Sequence, residues 1–402
     1  MCAQRLGERL LGEVTVEGLG ELLSSLRYLS TLGTTMSYFG IPELDALLPE
    51  HPLAPASLPA QQQPQLTQSR QPNPFPPNLG PPPPPAQNSP VPKISAPKCP
   101  GPIIELISPP PSHHPSGSGK TSLIYLITAL AILPPTLSSA QLGGKNAAIV
   151  LLDPLSHFSV SRLAQVCISL ICSKFREAEE VTDGNRQGGV GVVKNEVKQC
   201  VKRALTHVHI FRPQSWDSLM EMLETLPEYL FDGEGSKHQS IGRRIHAIII
   251  EGVDAFYWTM RADAETVIPE SKTMSANPIA KVASESSKFT AGLEKLSHML
   301  SCAVILSSHS ITMIHPFRTP FPMSWPSGTT STRLAVRRVD VNKFAPAISV
   351  EEAEMERLQR WEVVSQGRFE CWRVKLGVRD GDGFVFKAEV GGDGVWVEQD
   401  DG

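Results

Sequence analysis

The sequence predicts an α/β fold with a mainly parallel sheet, and three observations predict it. Short apolar, β-branched runs of strand length recur through the middle of the chain, separated by amphipathic stretches of helical length. One run, Pro102-Ile103-Ile104-Glu105-Leu106-Ile107, leads through a small-residue loop into an apolar segment that begins Lys120-Thr121. The C-terminal stretch instead alternates apolar and polar residues between Asp-Gly and Gly-Gly turns, the pattern of antiparallel strands.

In chain order, residues 1–50 form an N-terminal helical lead-in. Leu10, Leu11, Leu19, Leu22, Leu23 and Leu26 recur on the faces of a helix from about Glu8 to Leu32, interrupted by Gly12, Gly18 and Gly20. Phe39-Gly40-Ile41-Pro42-Glu43-Leu44-Asp45-Ala46-Leu47-Leu48 then reads as a turn and a short amphipathic helix. Residues 51–100 are dominated by Pro, Gln, Asn and Ser and contain the run Pro81–Pro85, so they are expected to be a disordered or polyproline linker. Residues 101–316 carry the α/β core. Its expected strands are Ile103–Ile107, Ala147–Leu152, His207–Phe211, Ile245–Ile250 and Ala303–Ser308. Its expected helices are Thr121–Leu133, Val160–Lys174, Asn195–Leu205, Trp216–Leu230 and Glu285–Ser301. Continuous β-branched runs of this kind fit strands covered on both faces. Residues 317–360 read as a loop and a basic helical segment, and residues 361–402 as a C-terminal antiparallel β-meander ending in Val395-Trp396-Val397.

Composition narrows the function classes. A chain of 402 residues, 41% hydrophobic and 19% charged, suffices for one sizeable core with appendages. The net charge of −4 supplies no global basic field, so any DNA contact must come from a local patch or from partners. Seven cysteines show no C-x-x-C or metal spacing, and most lie in apolar surroundings, as buried free thiols of a reducing compartment do. The longest apolar run, Leu123 to Leu133, is too short to span a bilayer, so no membrane partner is expected.

The chemistry concentrates at Pro115-Ser116-Gly117-Ser118-Gly119-Lys120-Thr121-Ser122. Small residues let consecutive backbone N–H groups turn inward around phosphate oxygens. Lys120 is placed to reach the β- and γ-phosphates, and the Thr121 hydroxyl to sit on Mg²⁺. The full pattern has a glycine where His114 stands, and a Cβ there crowds the backbone's approach to phosphate. The candidate ATP-binding residues are therefore Ser116, Gly117, Ser118, Gly119, Lys120, Thr121 and Ser122.

Taken together, these features resemble the RecA-like recombinase superfamily, and within it the eukaryotic strand-exchange recombinase paralogues of the X-ray-repair cross-complementing group. The carriers are Gly40-Ile41-Pro42-Glu43-Leu44-Asp45, the loop and helix Gly119–Ala129, Leu152-Asp153 with His157-Phe158, and Asp254-Ala255-Phe256-Tyr257-Trp258. The resemblance implies a RecA-like P-loop core that binds ATP and Mg²⁺. It also implies nuclear residence, assembly with other recombinase paralogues in a heteromeric complex, and action on single-stranded or branched DNA, directly or through partners. It assigns Glu251 to the Mg²⁺ side, where the family has Asp, and His309 to the γ-phosphate sensor position, usually Gln. The family's water-orienting Glu falls at Leu155, so weak hydrolysis at most is expected. Two other readings stay open: a scaffold with a vestigial pocket, and an active P-loop ATPase. Asp153 is either a strand-end cap or a catalytic group. Phe256, Tyr257 and Trp258 are either packing, a partner-docking face or a DNA-stacking platform. The basic residues Arg333, Arg337, Arg338 and Lys343 either touch DNA phosphates or form a solvated face.

Overall fold

The computed structural model describes residues 37–49, 101–108, 117–138, 140–181, 190–231, 238–266, 278–310, 317–321, 323–339, 349–365, 367–375, 377–388 and 394–398. The expected lead-in helix and the Pro-rich linker lie outside the described residues, as do His114 and Ser116.

The elements are α1 (Pro42–Ala46), β1 (Ile103–Ser108), α2 (Lys120–Ile132), β2 (Thr136–Leu137), β3 (Ala140–Gln141), β4 (Ala148–Leu152), α3 (Val160–Val181), α4 (Val190–Leu205) and β5 (Val208–Phe211). There follow α5 (Trp216–Phe231), β6 (Ile245–Ile250), α6 (Tyr257–Thr266), α7 (Pro278–Leu300), β7 (Ala303–His309), β8 (Ser331–Arg338), α8 (Val350–Ser365), β9 (Arg368–Lys375), β10 (Val378–Ala388) and β11 (Val395–Val397). Nine strands form one sheet in the order β11-β10-β9-β8-β1-β7-β6-β4-β5. Strands β5, β4, β6, β7, β1 and β8 run parallel to one another, while β9, β10 and β11 continue the sheet antiparallel from β8. The fold is thus mixed α/β with a large, mostly parallel sheet.

Why the central strands are apolar throughout follows from where alternate residues go. Ile104, Leu106, Ile149, Leu151, Ala247, Ile249 and Ile305 face a core shared with α2, α3 and α4. Their neighbours Ile103, Val150, Leu152, Ile248, Ile250, Val304 and Leu306 face a second core with α5 and α7. A strand with helices on both sides has no solvent face, so its pattern loses the period-2 alternation. Helix α2 is buried almost all round and correspondingly lacks a polar stripe.

One expectation is corrected. Residues 331–338, read from sequence as part of a loop and basic helical segment, form β8. Leu334, Ala335 and Val336 are buried, and Arg333 and Arg337 pair with carboxylates of neighbouring strands. Arg333 stands opposite Glu105 in the β1–β8 register and donates to its Oε2 from Nε and Nη2 at 3.0 and 2.8 Å. Glu105, 3% exposed on a central strand, also accepts from Trp325 Nε1 at 2.7 Å and Ser331 Oγ at 3.0 Å. Arg337 likewise pairs with Glu370 of β9. Basic spacing alone hides these partners, because they come from distant strands. The short α6 and the β2–β3 hairpin were not anticipated from sequence.

The segment around α1 docks at the far end of the sheet from the loop that opens α2. Tyr38 stacks on His246 at 4.9 Å between ring centroids, and its hydroxyl donates to the His246 carbonyl at 3.1 Å. Asp45 closes the turn by accepting the Phe39 N–H at 3.1 Å. Of the five described cysteines, Cys167, Cys200, Cys302 and Cys371 are buried free thiols and Cys172 is exposed. Burial pushes the Cys167 and Cys302 thiols up to about 12, which leaves them unreactive.

Candidate functional site

The carboxyl ends of β1, β4, β6 and β7 converge beside the N-terminus of α2, the place where open α/β sheets hold ligands. A cleft of about 390 Å³ opens there, lined by Gly117, Ser118, Gly119, Lys120, Thr121 and Ser122 on one side. Glu251, Gly252, Ser307, His309, His157, Arg162, Arg338, Phe369 and Ala388 line the rest. The expected loop residues from 117 to 122, with Glu251 and His309, therefore share one cleft.

Gly119 caps α2 with φ +91, a left-handed conformation that strains any residue with a Cβ. Space forbids one too: a Cβ at Gly119 lies 2.5 Å from the Phe369 ring. This glycine turns the chain so that the first N–H groups of α2, which have no acceptor within the helix, face the cleft with the positive end of its dipole. Lys120 begins the helix and is 5% exposed. Its Nζ donates to Ser108 Oγ at 2.5 Å, across the end of β1. Burial lowers the ammonium to about 8, against the opposing pull of Asp254 and Glu251. A buried cation with one neutral acceptor is a cation with capacity for an anion.

Across the cleft, Thr121 Oγ1 hydrogen-bonds Glu251 Oε1. Glu251 follows β6 directly and is 3% exposed; burial raises its carboxyl, which the Thr121 hydrogen bond and Lys120 oppose. Its Oε2 is buried without a hydrogen-bond partner, and so is Asp254 Oδ1. Asp254 Oδ2 accepts the His309 backbone N–H at 3.1 Å and lies 3.6 Å from His309 Nδ1. Among the described residues no group of three or more His, Cys, Asp or Glu side chains is arranged to hold a metal by itself. Mg²⁺ at phosphate sites needs no such cage, because one or two protein oxygens join substrate phosphates and water. A hydroxyl and an orphaned carboxylate oxygen beside a helix N-terminus fit that chemistry.

Two sequence alternatives narrow on geometry. Asp153 is fully buried, and its two oxygens accept the backbone N–H groups of His157 at 3.0 Å and Phe158 at 2.9 Å. It builds the turn from β4 to α3, with one backbone N–H on each of its oxygens. Leu155, at the tip of that turn, is 44% exposed and supplies no acceptor. Trp258 is also exposed, with the Arg261 guanidinium 5.9 Å from its ring. Ser108, which holds Lys120, and the cleft residues Gly252, Ser307, Arg338 and Phe369 were missed. The serines carry no motif, and the last two arrive from strands more than two hundred residues along the chain.

No family model and no curated protein matches this chain.

Proposed function

We propose that this chain is an accessory recombinase paralogue of homologous-recombination repair, built on a RecA-like P-loop core. It binds Mg-ATP and acts as a nucleotide-gated subunit of a heteromeric paralogue complex on single-stranded or branched DNA in the nucleus. The observation that carries the nucleotide half is the convergence at one cleft of a buried Lys120, the Gly119-capped N-terminus of α2, and Thr121 bonded to a half-satisfied Glu251. The recombination half rests on the motif resemblance, chiefly Asp254-Ala255-Phe256-Tyr257-Trp258 and the Gly119–Ala129 helix.

Each side chain has a role in binding. Lys120 offers its ammonium to phosphoryl oxygens, α2 offers backbone N–H groups, and Thr121 and Glu251 offer oxygens to Mg²⁺, which offsets phosphate charge. Ser307 Oγ fixes the Glu251 side of the cleft by accepting the Gly252 N–H at 2.9 Å. What is missing is a carboxylate to orient an attacking water. Leu155 stands at the family position, and Asp153 is committed to the backbone. The site therefore holds ATP better than it hydrolyses it, and such a site suits a subunit whose partners sense occupancy.

The test is assembly. Co-expressed with sister recombinase paralogues, the wild type is expected to co-purify more strongly in Mg-ATP than without nucleotide, and Lys120→Ala to lose that dependence. Nucleotide-independent assembly by both proteins, with Mg-ATP bound by neither, would favour a scaffold with a relict pocket.

A further inference from the structure

The C-terminal strands supply one wall of the cleft. Arg338, the last residue of β8, stands directly opposite Phe369 of β9 in the antiparallel register, and both line the cleft. Phe369 presses on Gly119, leaving 2.5 Å to the position of any Cβ there. The Arg338 guanidinium lies over the Phe369 ring, 5.4 Å from its centroid. Stacking fixes the plane of the guanidinium and leaves the N–H groups on its edge for an acceptor in that plane.

The arginines of β8 divide by their partners. Arg333 is paired with Glu105 and Arg337 with Glu370. Arg338 has no carboxylate partner among the described residues, and its Nε is buried without a hydrogen-bond acceptor. An unpaired buried donor on a charged group is costly to keep. Here it borders a cleft whose opposite side already presents Lys120 and a helix N-terminus. Lys120, Arg162 and Arg338, with the helix dipole, outnumber Glu251, the carboxylate that lines the same cleft, and leave positive charge that an oxyanion would offset.

We propose that Arg338 is a phosphate ligand of this cleft, donating from its Phe369-stacked guanidinium to a phosphoryl oxygen of the polyphosphate that Lys120 and α2 hold. The proposal rests on the nucleotide reading above and adds a cation from the C-terminal sheet to it. Arg338 is a binding residue and does not replace the water-orienting carboxylate. Its position on β8 makes polyphosphate a tie between α2 and the antiparallel end of the sheet.

Calorimetric titration of the full chain with Mg-ATP, inorganic tripolyphosphate and orthophosphate tests this in wild type, Arg338→Ala, Arg338→Lys and Arg337→Ala, with a thermal melt of each protein. Loss of one charged hydrogen-bond donor is expected to weaken Mg-ATP and tripolyphosphate roughly ten- to hundredfold in Arg338→Ala. Arg338→Lys keeps the charge without the planar fork and should fall between. Arg337→Ala should bind as the wild type does. If Arg338→Ala fails to fold, Arg338→Lys decides: wild-type affinity for tripolyphosphate there overturns the guanidinium's role. Unchanged affinity in a folded Arg338→Ala overturns the role of Arg338 and leaves the nucleotide site standing. Tripolyphosphate or orthophosphate binding that depends on Arg338, without Mg-ATP binding, supports Arg338 and overturns the nucleotide reading. A wild type that binds none of the three overturns both.

Discussion

Replacing Lys120 by methionine should make the ligand-free protein more stable. Methionine keeps the length and apolar stem of the side chain and removes the charge. Burial brings the Lys120 ammonium from 10.5 to about 8, and at about 1.36 kcal/mol per pH unit that fall corresponds to about 3 kcal/mol held against the charged form. Losing the Nζ–Ser108 hydrogen bond returns about 1 kcal/mol, leaving a net gain of about 2 kcal/mol at pH 7. The pH dependence identifies the cause. The folded-state value lies below the unfolded one, so the penalty on the wild type is complete below pH 8 and fades as pH rises from about 8 to 10.5. Denaturant melts of both proteins at pH 7, 8.5 and 10 should therefore show a stability gap that is widest at pH 7 and narrows upward. A methionine variant less stable than the wild type at pH 7, or a gap that ignores pH, would refute the claim that Lys120 is a strained, ligand-seeking cation.

Other expectations follow from the same geometry. Mg-ATP affinity should be flat below about pH 8 and fall by up to about tenfold per pH unit above it, because binding must then supply a proton to neutral Lys120; titrations of the wild type from pH 7 to 9.5 check this, and an affinity that ignores pH across that range would contradict it. Gly119→Ala should cost about 1–3 kcal/mol in melts, from its φ of +91 and the Phe369 contact, and should abolish nucleotide binding. Arg333→Ala removes the cation from the buried Glu105, which keeps Trp325 and Ser331 as donors, and should cost about 1–3 kcal/mol, whereas Glu105→Gln with Arg333→Met should recover much of it; chemical denaturation of both variants decides.

Local signals in the sequence carried the parallel strands other than β8. The runs at Ile103, Ala148, Ile245 and Ala303 are strands because their alternate apolar residues face two cores, and that double burial is written in composition. The loop that opens α2 was visible for a related reason: Gly119, Lys120 and Thr121 are contiguous, and helix α2 starts with the loop's own residues. Glu251 was legible as a charge ending an apolar strand. Arg338 and Phe369 were not, since their link to the loop is a cross-strand register that spacing along the chain does not encode. The same blindness made β8 look helical. Its arginines match a solvated helix face until Glu105 and Glu370, from other strands, are placed beside them. Asp153 could be read from sequence as a cap or as a catalytic group, and its two backbone partners show the capping contacts.

The central claim, an ATP site that binds without brisk turnover, meets its most direct test in one titration. Purified wild type and Lys120→Ala would be titrated with Mg-ATP while released phosphate is counted in the same samples. Saturable binding by the wild type, lost in Lys120→Ala, with phosphate release near background in both, is the predicted result. No binding by the wild type would contradict the claim, as would rapid phosphate release that Lys120→Ala abolishes.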